Sequence, residues 1–287
     1  MPELPEVETV VRELRPYLQR RAIVDVHVDW ARTIAQPAED IDQFCAGVRG
    51  RQIVDLRRRG KFILLQLGDG CRYRTSDGSQ HRTPGACLIH LRMSGRLLVE
   101  PLGLPRHLRI VFDLSDGGCL YFYDQRKFGR VWLVHDPDTV VGDLGPEPLD
   151  EAFGPSALRA LLRNRRGMLK PLLLNQRFIA GLGNIYVDES LFMAGLHPKR
   201  AADTLTEAEV RRLCNAIQTV LRQAIDLQGT TFDGVFVRPE GEQGRRQEGL
   251  SVYGQAGLPC GRCSTPIERI KVGGRGTHFC SRCQPLI

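Results

Sequence analysis

The stretch Met1-Pro2-Glu3-Leu4-Pro5-Glu6-Val7-Glu8-Thr9-Val10-Val11 decides how this chain is read. Leu4, Val7, Val11, Leu14 and Leu18 recur at helical spacing, which predicts an amphipathic helix over residues 4–19, ending near Pro16 to Arg20. In front of that helix stands a chemical possibility. Methionine is normally removed before proline, and its removal would leave Pro2 as a secondary amine. Such an amine attacks an aldehyde-level carbon and yields an iminium without further proton loss from nitrogen. An α-amino group titrates near pH ~8, so a useful fraction is an unprotonated nucleophile at neutral pH. Glu3 sets a carboxylic acid beside it that can give and take protons. The alternative is plainer: Pro and Glu are both favoured in a first helical turn and would simply open the helix.

Working outward, strand-like runs follow one another to about residue 135: Val24 to Val28, Phe62 to Leu67, Ala86 to Leu91, Leu108 to Leu114, Leu120 to Tyr123 and Arg130 to Val134. Turns such as Gly68-Asp69-Gly70 and Ser115-Asp116-Gly117-Gly118 separate several of them, which predicts antiparallel hairpins in a sandwich over residues 1–135. The polar segment 72–84 reads as an insertion, a mobile loop between two strands. Residues 136–155, rich in Asp, Gly and Pro, read as a linker. Beyond them the period turns helical at Ser156 to Arg163, Met168 to Leu174, Asn184 to Ala194 and Thr206 to Gln228. Ser156, Asn184 and Thr206 are the expected N-caps, and Thr206 with Glu209 makes a capping-box pattern. A Gly-rich, charged stretch from Gly229 to Gly249 reads as a flexible loop closing this 156–249 domain, and residues 250–287 form the last module.

The 287 residues exceed what one core usually takes, so two or three units are expected. No apolar run approaches a membrane span, and the first residues are acidic rather than signal-like, which makes a cytoplasmic protein the expectation. A net charge of +7 favours a polyanionic partner, nucleic acid first. Of nine cysteines, five (Cys45, Cys71, Cys87, Cys119 and Cys214) are scattered, as expected of reduced thiols. Cys260, Cys263, Cys280 and Cys283 form C-x2-C-x16-C-x2-C, a spacing that lets two tight turns grip one tetrahedral metal ion. Two disulfides are the alternative there.

Three further motifs carry chemistry. Gly181-Leu182-Gly183-Asn184 places two glycines before a helix, either an anion-binding turn or a tight packing corner. Gly273-Gly274-Arg275-Gly276 lies between the cysteine pairs and reads as a β-ribbon tip offering Arg275 to phosphate, or as a solvated basic turn. Arg57-Arg58-Arg59-Gly60-Lys61 is a basic run leading into a strand, while Met93, Arg126 and Phe128 sit at strand ends.

Together and in this order, PELPEVETV, RRRGKF, HLRMSG, DQRKFG, LGPEPL, GLGNIYVDESLF, LSVYG and CGRC…GGRGTHFCSRC make the chain resemble the formamidopyrimidine-DNA glycosylase family of bacterial base-excision repair. The resemblance covers nearly the whole length. It implies a bilobal α+β enzyme: an N-terminal β-sandwich flanked by helices, a helix–two-turn–helix domain and a zinc-finger β-ribbon. The implied substrate is double-stranded DNA with oxidised purines or abasic sites, handled by a monomer with one structural zinc and no membrane. The lesion nucleotide would be flipped out, and the amine of Pro2 would attack its sugar C1′.

By the same resemblance Glu3 is the acidic partner, Lys61 serves β-elimination and phosphate contact, and Arg275 serves δ-elimination. Asn184 and Arg275 would hold phosphates beside the flipped nucleotide, with His107 and Arg166 as further DNA contacts. Met93, Arg126 and Phe128 match the trio that fills the emptied stack, Arg126 reaching the orphaned base. Lys170 and Glu189 match positions near the lesion. The length of segment 72–84 departs from the family pattern. The rivals are an endonuclease VIII-like glycosylase for oxidised pyrimidines, disfavoured by Leu4 and the Met93/Arg126/Phe128 trio, and a silent DNA-binding relative, disfavoured by Pro2, Glu3 and Lys61 together.

Overall fold

In the computed structural model, residues 1–68, 73–74, 80–81, 85–231, 236–244 and 249–286 are described. The chain forms two compact units: residues 1–2, 6–143 and 230–244 make the first, and residues 3–5, 144–229 and 245–287 the second.

From Glu6 onward α1 (Leu4–Leu18) belongs to the first unit, where its apolar stripe of Val7, Val10, Val11, Leu14 and Leu18 is buried. A four-stranded antiparallel sheet runs β1 (Ile23–Val28), β9 (Leu108–Leu114), β10 (Cys119–Asp124), β8 (Gly95–Leu98). A five-stranded sheet runs β2 (Ile34–Gln36), β11 (Arg130–Val134), β7 (Ala86–His90), β4 (Phe62–Leu67), β3 (Ile53–Arg59). Inward residues of both sheets, among them Phe112, Phe122, Ile63 and Ile89, share one core with α1 and with Phe44 and Val48 of α2 (Ile41–Val48). This is the sandwich expected from the alternating pattern.

Several details differ from the expectation. The helix α2 interrupts the run of strands; Asp40 caps it by accepting from Gln43 N at 2.9 Å, and Ile41, Phe44, Cys45 and Val48 supply the helical spacing. The short edge strand β2 pairs parallel with β11, so the sheet is not wholly antiparallel. Residues 136–155 are not plain linker, since α3 (Asp138–Val141) forms within them. Arg57–Arg59 lie inside β3 rather than ahead of a strand. Of the 72–84 insertion, β5 (Tyr73–Arg74) and β6 (Gln80–His81) pair antiparallel; the rest lies outside the described residues. So do 232–235 and 245–248 of the expected flexible loop. Residues 230–231 and 236–244, expected with the helical domain, belong to the first unit. Phe236 enters its core, Thr230 N donates to Glu6, and Arg238 pairs with Glu13 at 2.6 Å.

The second unit gathers α4 (Pro155–Leu162), α5 (Leu169–Leu174), α6 (Asn184–Ala194) and α7 (Glu207–Asp226) around a core that includes Leu4, Leu169, Tyr186, Leu213 and Ile217. The Thr206/Glu209 capping box is present. The caps of α4 and α6 are Gly154 and Gly183, one or two residues ahead of the expected Ser156 and Asn184. Pro155 at the first helical position moves the start of α4 forward. The finger ribbon is β12 (Glu268–Val272) against β13 (Arg275–Phe279). Among the described residues no helix is long and apolar enough to cross a membrane.

Candidate active site and DNA interface

Pro2 is buried while Met1 remains about half exposed. The neighbouring Glu3, 2 % exposed, is fixed by backbone donors at the start of α6: Ile185 N donates to Oε1 at 2.9 Å and Tyr186 N to Oε2 at 3.4 Å. The carboxylate thus supplies the capping that no local side chain provides, at the positive end of the helix. Gly183 leaves room for the carboxylate, and Gly181 leaves room for Leu4. A Cβ on Gly183 would stand 2.2 Å from Glu3 Cδ, and one on Gly181, at φ +86°, would stand 2.6 Å from Leu4 Cδ1. Leu4 N donates to Gly181 O, and the side-chain amide of Gln176 closes the turn on Gly181 N and Leu182 O. Here the anion at the glycine turn is an internal one, Glu3.

Lys61 occupies the turn of the β3–β4 hairpin rather than a strand, 5 % exposed, after Gly60 at φ +57°. Positive φ at the first turn residue is what a two-residue hairpin asks of glycine. His90, on the strand paired with β4, is neutral in this setting: burial first, then the charges of Arg92 and Lys61, push its imidazole down to about 3. Its Nδ1 accepts from Arg92 N at 3.0 Å.

In the second unit, Arg275 is exposed just past the turn Gly273-Gly274, both at positive φ. A Cβ on Gly273 would meet Pro171 Cγ at 2.7 Å, so the ribbon tip seats closely on α5. Asn184 Nδ2 donates to Gly276 O at 3.1 Å, and its Oδ1 is buried with no partner among the described residues. Arg166 is exposed and lines an open cavity of about 940 Å³ together with Arg159 and Arg163, a basic hollow suited to phosphate. His107 is half-buried in the first unit, where desolvation and the charges of Arg106 and Arg109 hold its imidazole below the ordinary value.

Two of the residues placed by resemblance are engaged inside the protein. Lys170 is fully buried, and its Nζ donates to Asp188 Oδ1 at 2.6 Å and to Gly276 O at 2.9 Å. Asp188 in turn accepts from His278 N at 2.8 Å, so the pair ties α5 and α6 to the finger ribbon. Glu189, placed near the lesion by resemblance, has its carboxylate consumed by Ser251, Val252 and Tyr253 N–H groups at 2.8–2.9 Å.

Met93 and Phe128 are exposed at 40 % and 46 %, and the Arg126 guanidinium lies 4.9 Å from the Phe128 ring centroid. The four thiols of Cys260, Cys263, Cys280 and Cys283 lie within 4.8 Å of one another, with none in a disulfide. Sulfurs at that separation fit one zinc bound tetrahedrally by four thiolates. The finger's own core is small (Val252, Ile267 and two of the cysteines against Phe192), so it needs the metal.

A buried acid next to Pro2, large apolar side chains exposed on turns, an arginine-lined hollow and a four-cysteine finger are the features of a nucleic-acid-processing enzyme. The N-terminal domain profile of formamidopyrimidine-DNA glycosylase matches residues 1–131, the corresponding H2TH profile residues 144–234, and a zinc finger found in FPG and IleRS residues 257–286. The chain belongs to the formamidopyrimidine-DNA glycosylase family. The glycosylase of Chloroflexus aggregans is 45% identical over the full length of both chains, and that of Symbiobacterium thermophilum is 44% identical, covering 100% of this chain and 90% of the other. Among solved structures, the MutM (Fpg) protein of Thermus thermophilus is similar with a TM-score of 0.85 at 40% identity, covering both chains completely. A Lactococcus lactis Fpg mutant bound to Fapy-dG containing DNA is similar with a TM-score of 0.86 at 34% identity, covering 99% of this chain and 100% of that one.

Proposed function

We propose that this chain excises oxidised purines, 8-oxoguanine and formamidopyrimidines, from double-stranded DNA and then cuts the strand at the resulting abasic site, acting as a monomer in the bacterial cytoplasm. The observation that carries the reading is Glu3, whose buried carboxylate is locked to the start of α6 one residue from Pro2. With Met1 removed, the Pro2 nitrogen attacks C1′ of the flipped nucleotide, and the C1′–N bond to the base breaks as the base leaves with a proton. Glu3 protonates the ring oxygen O4′, the C1′–O4′ bond opens, and an iminium links enzyme and sugar. The iminium acidifies the C2′ proton; its loss expels the 3′ phosphate, and a second elimination expels the 5′ phosphate. Lys61 serves the first elimination and Arg275 the second, both as proton carriers and phosphate contacts. Asn184, His107 and Arg166 hold backbone phosphates, and Met93, Arg126 and Phe128 fill the vacated stack. The zinc stays structural, shaping the ribbon that presents Arg275.

Borohydride reduction of the iminium tests this. With an 8-oxoguanine duplex it should yield an enzyme–DNA adduct whose cross-linked peptide maps to Pro2, and a retained Met1 should prevent it. A cross-link at Lys61 would overturn the assignment. The same assay on duplexes with an oxidised pyrimidine separates the endonuclease VIII-like alternative, which requires the pyrimidine to be the better substrate.

A further inference from the structure

The three side chains read as stack-fillers leave the fold on two separate turns, yet one buried carboxylate joins those turns. Strands β8 and β10 pair up to Gly95 opposite Asp124, and both chains depart just beyond that pair. Met93 stands on the turn entering β8, and Arg126 and Phe128 on the turn leaving β10. Asp124 is 1 % exposed, and each of its oxygens is engaged. Oδ1 accepts from Ser94 Oγ at 2.5 Å and from Arg126 N at 3.1 Å, and Oδ2 accepts from Gly129 N at 2.6 Å. Ser94 Oγ also accepts from Arg126 N at 3.1 Å. The residue after Met93 is therefore bonded both to the carboxylate and to the backbone of Arg126.

Further contacts stiffen the same point. Arg109, 2 % exposed, donates through Nε to the Asp124 carbonyl at 2.9 Å and through Nη2 to the Arg106 carbonyl at 2.9 Å, beside His107. Lys127, at φ +58°, sets its ammonium 3.7 Å from the Trp30 ring centroid. Gly129 cannot be larger, because a Cβ would meet Phe122 Cζ at 2.5 Å. A carboxylate buried at this depth is retained only where several donors satisfy it, and here the donors belong to the two inserting turns.

We propose that Asp124, acting through Ser94, is the positioning residue that makes Met93, Arg126 and Phe128 one rigid inserting unit, and that it thereby sets opposite-base selectivity without touching DNA. The proposal rests on the reading of that trio as stack-fillers. An inserting side chain that wanders by an ångström on a loose turn loses its alignment with the orphaned base, whereas a clamped pair of turns delivers wedge and reader in register.

The test compares Ser94→Ala, Ser94→Thr, Asp124→Asn and Arg126→Ala with the wild-type protein. Each is measured for kcat and KM on 8-oxoguanine opposite cytosine and opposite adenine, and for the fluorescence rise of 2-aminopurine placed beside the lesion. Ser94→Ala removes the bridge alone, and Asp124→Asn turns one acceptor oxygen into a donor facing N–H groups. Both should shrink the cytosine-over-adenine preference about tenfold, the factor a lost buried hydrogen bond carries. KM should rise more than kcat falls, and the fluorescence rise should weaken. Ser94→Thr, which keeps the hydroxyl, should restore both. If Arg126→Ala leaves the preference intact, the stack-filler reading itself fails. If Arg126→Ala narrows it while Ser94→Ala keeps wild-type selectivity and fluorescence, the clamp is refuted and the reading stands. Should Asp124→Asn prove too unstable to purify, Ser94→Ala decides.

Discussion

Lys170 Nζ lies 2.6 Å from Asp188 Oδ1, and both side chains are fully buried. Burial pushes the lysine below its ordinary pKa while the Asp188 carboxylate pulls the other way, so the ammonium depends on its partner. The pair holds the Gly276 carbonyl and the His278 N–H of the ribbon against α5 and α6, which makes it the internal latch of the finger.

Lys170→Met should therefore be destabilising out of proportion to its size. It leaves the Asp188 charge uncompensated in the interior, a change that typically costs about 3–5 kcal/mol. Urea unfolding should show a lower midpoint with an unchanged slope. A loss below about 1 kcal/mol would mean that the pair contributes little beyond packing.

Glu3→Gln keeps the shape of the side chain but turns one amide-facing oxygen into a donor opposite Ile185 N or Tyr186 N. In its proposed role as proton donor to the sugar it should matter more: single-turnover excision should fall by on the order of 10²–10⁴. Gly183→Ala should reproduce much of that loss without touching the acid, since the new Cβ would lie 2.2 Å from Glu3 Cδ. Normal excision by Gly183→Ala would show that the carboxylate's position is not critical.

Metal analysis should return one zinc per chain. Cys280→Ser should lose it together with affinity for duplex DNA, because Cys280 is both a thiolate ligand and one of the few buried residues of the finger. Full DNA affinity in zinc-free Cys280→Ser protein would dissociate the finger from binding.

His90 carries a pH dependence. Its imidazole is pushed from 6.5 to about 3 in the folded protein, so between those values the unfolded chain binds a proton that the folded chain refuses. The stability it contributes is present above pH 6.5 and is lost as pH falls towards 3. By pH ~5 the loss is about 2 kcal/mol. His90→Asn, which keeps an acceptor for Arg92 N, should flatten that part of the stability profile. A slope between pH ~6.5 and pH ~4 equal to that of wild type would rule His90 out as its cause.

How far the sequence foretold these features depends on the range of the interaction behind each. Strands β4, β9 and β11 and helix α6 begin and end where periodicity places them, because alternation and helical spacing are local signals. The eight-residue α2 and three-residue β2 are too short for a pattern to stand out, though Asp40 before Ile41 was a usable cap signal. The cap of α6 comes from Glu3, some 180 residues earlier, and no local reading finds it. The roles of Lys170, Asp188, Glu189 and Asp124 were hidden for another reason. A charged residue in a pattern reads as solvent-facing, and only the fold reveals that its partners are buried N–H groups or an opposite charge. The cysteine spacing needed no fold at all, since the metal dictates it.

In the proposed stack-filling role, Arg126 would decide which base is tolerated opposite the lesion. Its guanidinium, exposed beside Phe128, offers only donors. A cytosine presents acceptors at O2 and N3 on its pairing edge, whereas adenine presents N1 beside the competing N6 donor. Leaving buried polar groups unpaired costs about 1–3 kcal/mol each, enough for roughly tenfold to hundredfold discrimination. Excision of 8-oxoguanine should therefore be efficient opposite cytosine and poor opposite adenine, where removal would fix a mutation. Arg126→Ala should narrow that gap while borohydride trapping through Pro2 on a preformed abasic site persists, because the amine and Glu3 are untouched by the change. Equal wild-type rates opposite cytosine and adenine would show that Arg126 does not read the opposite base.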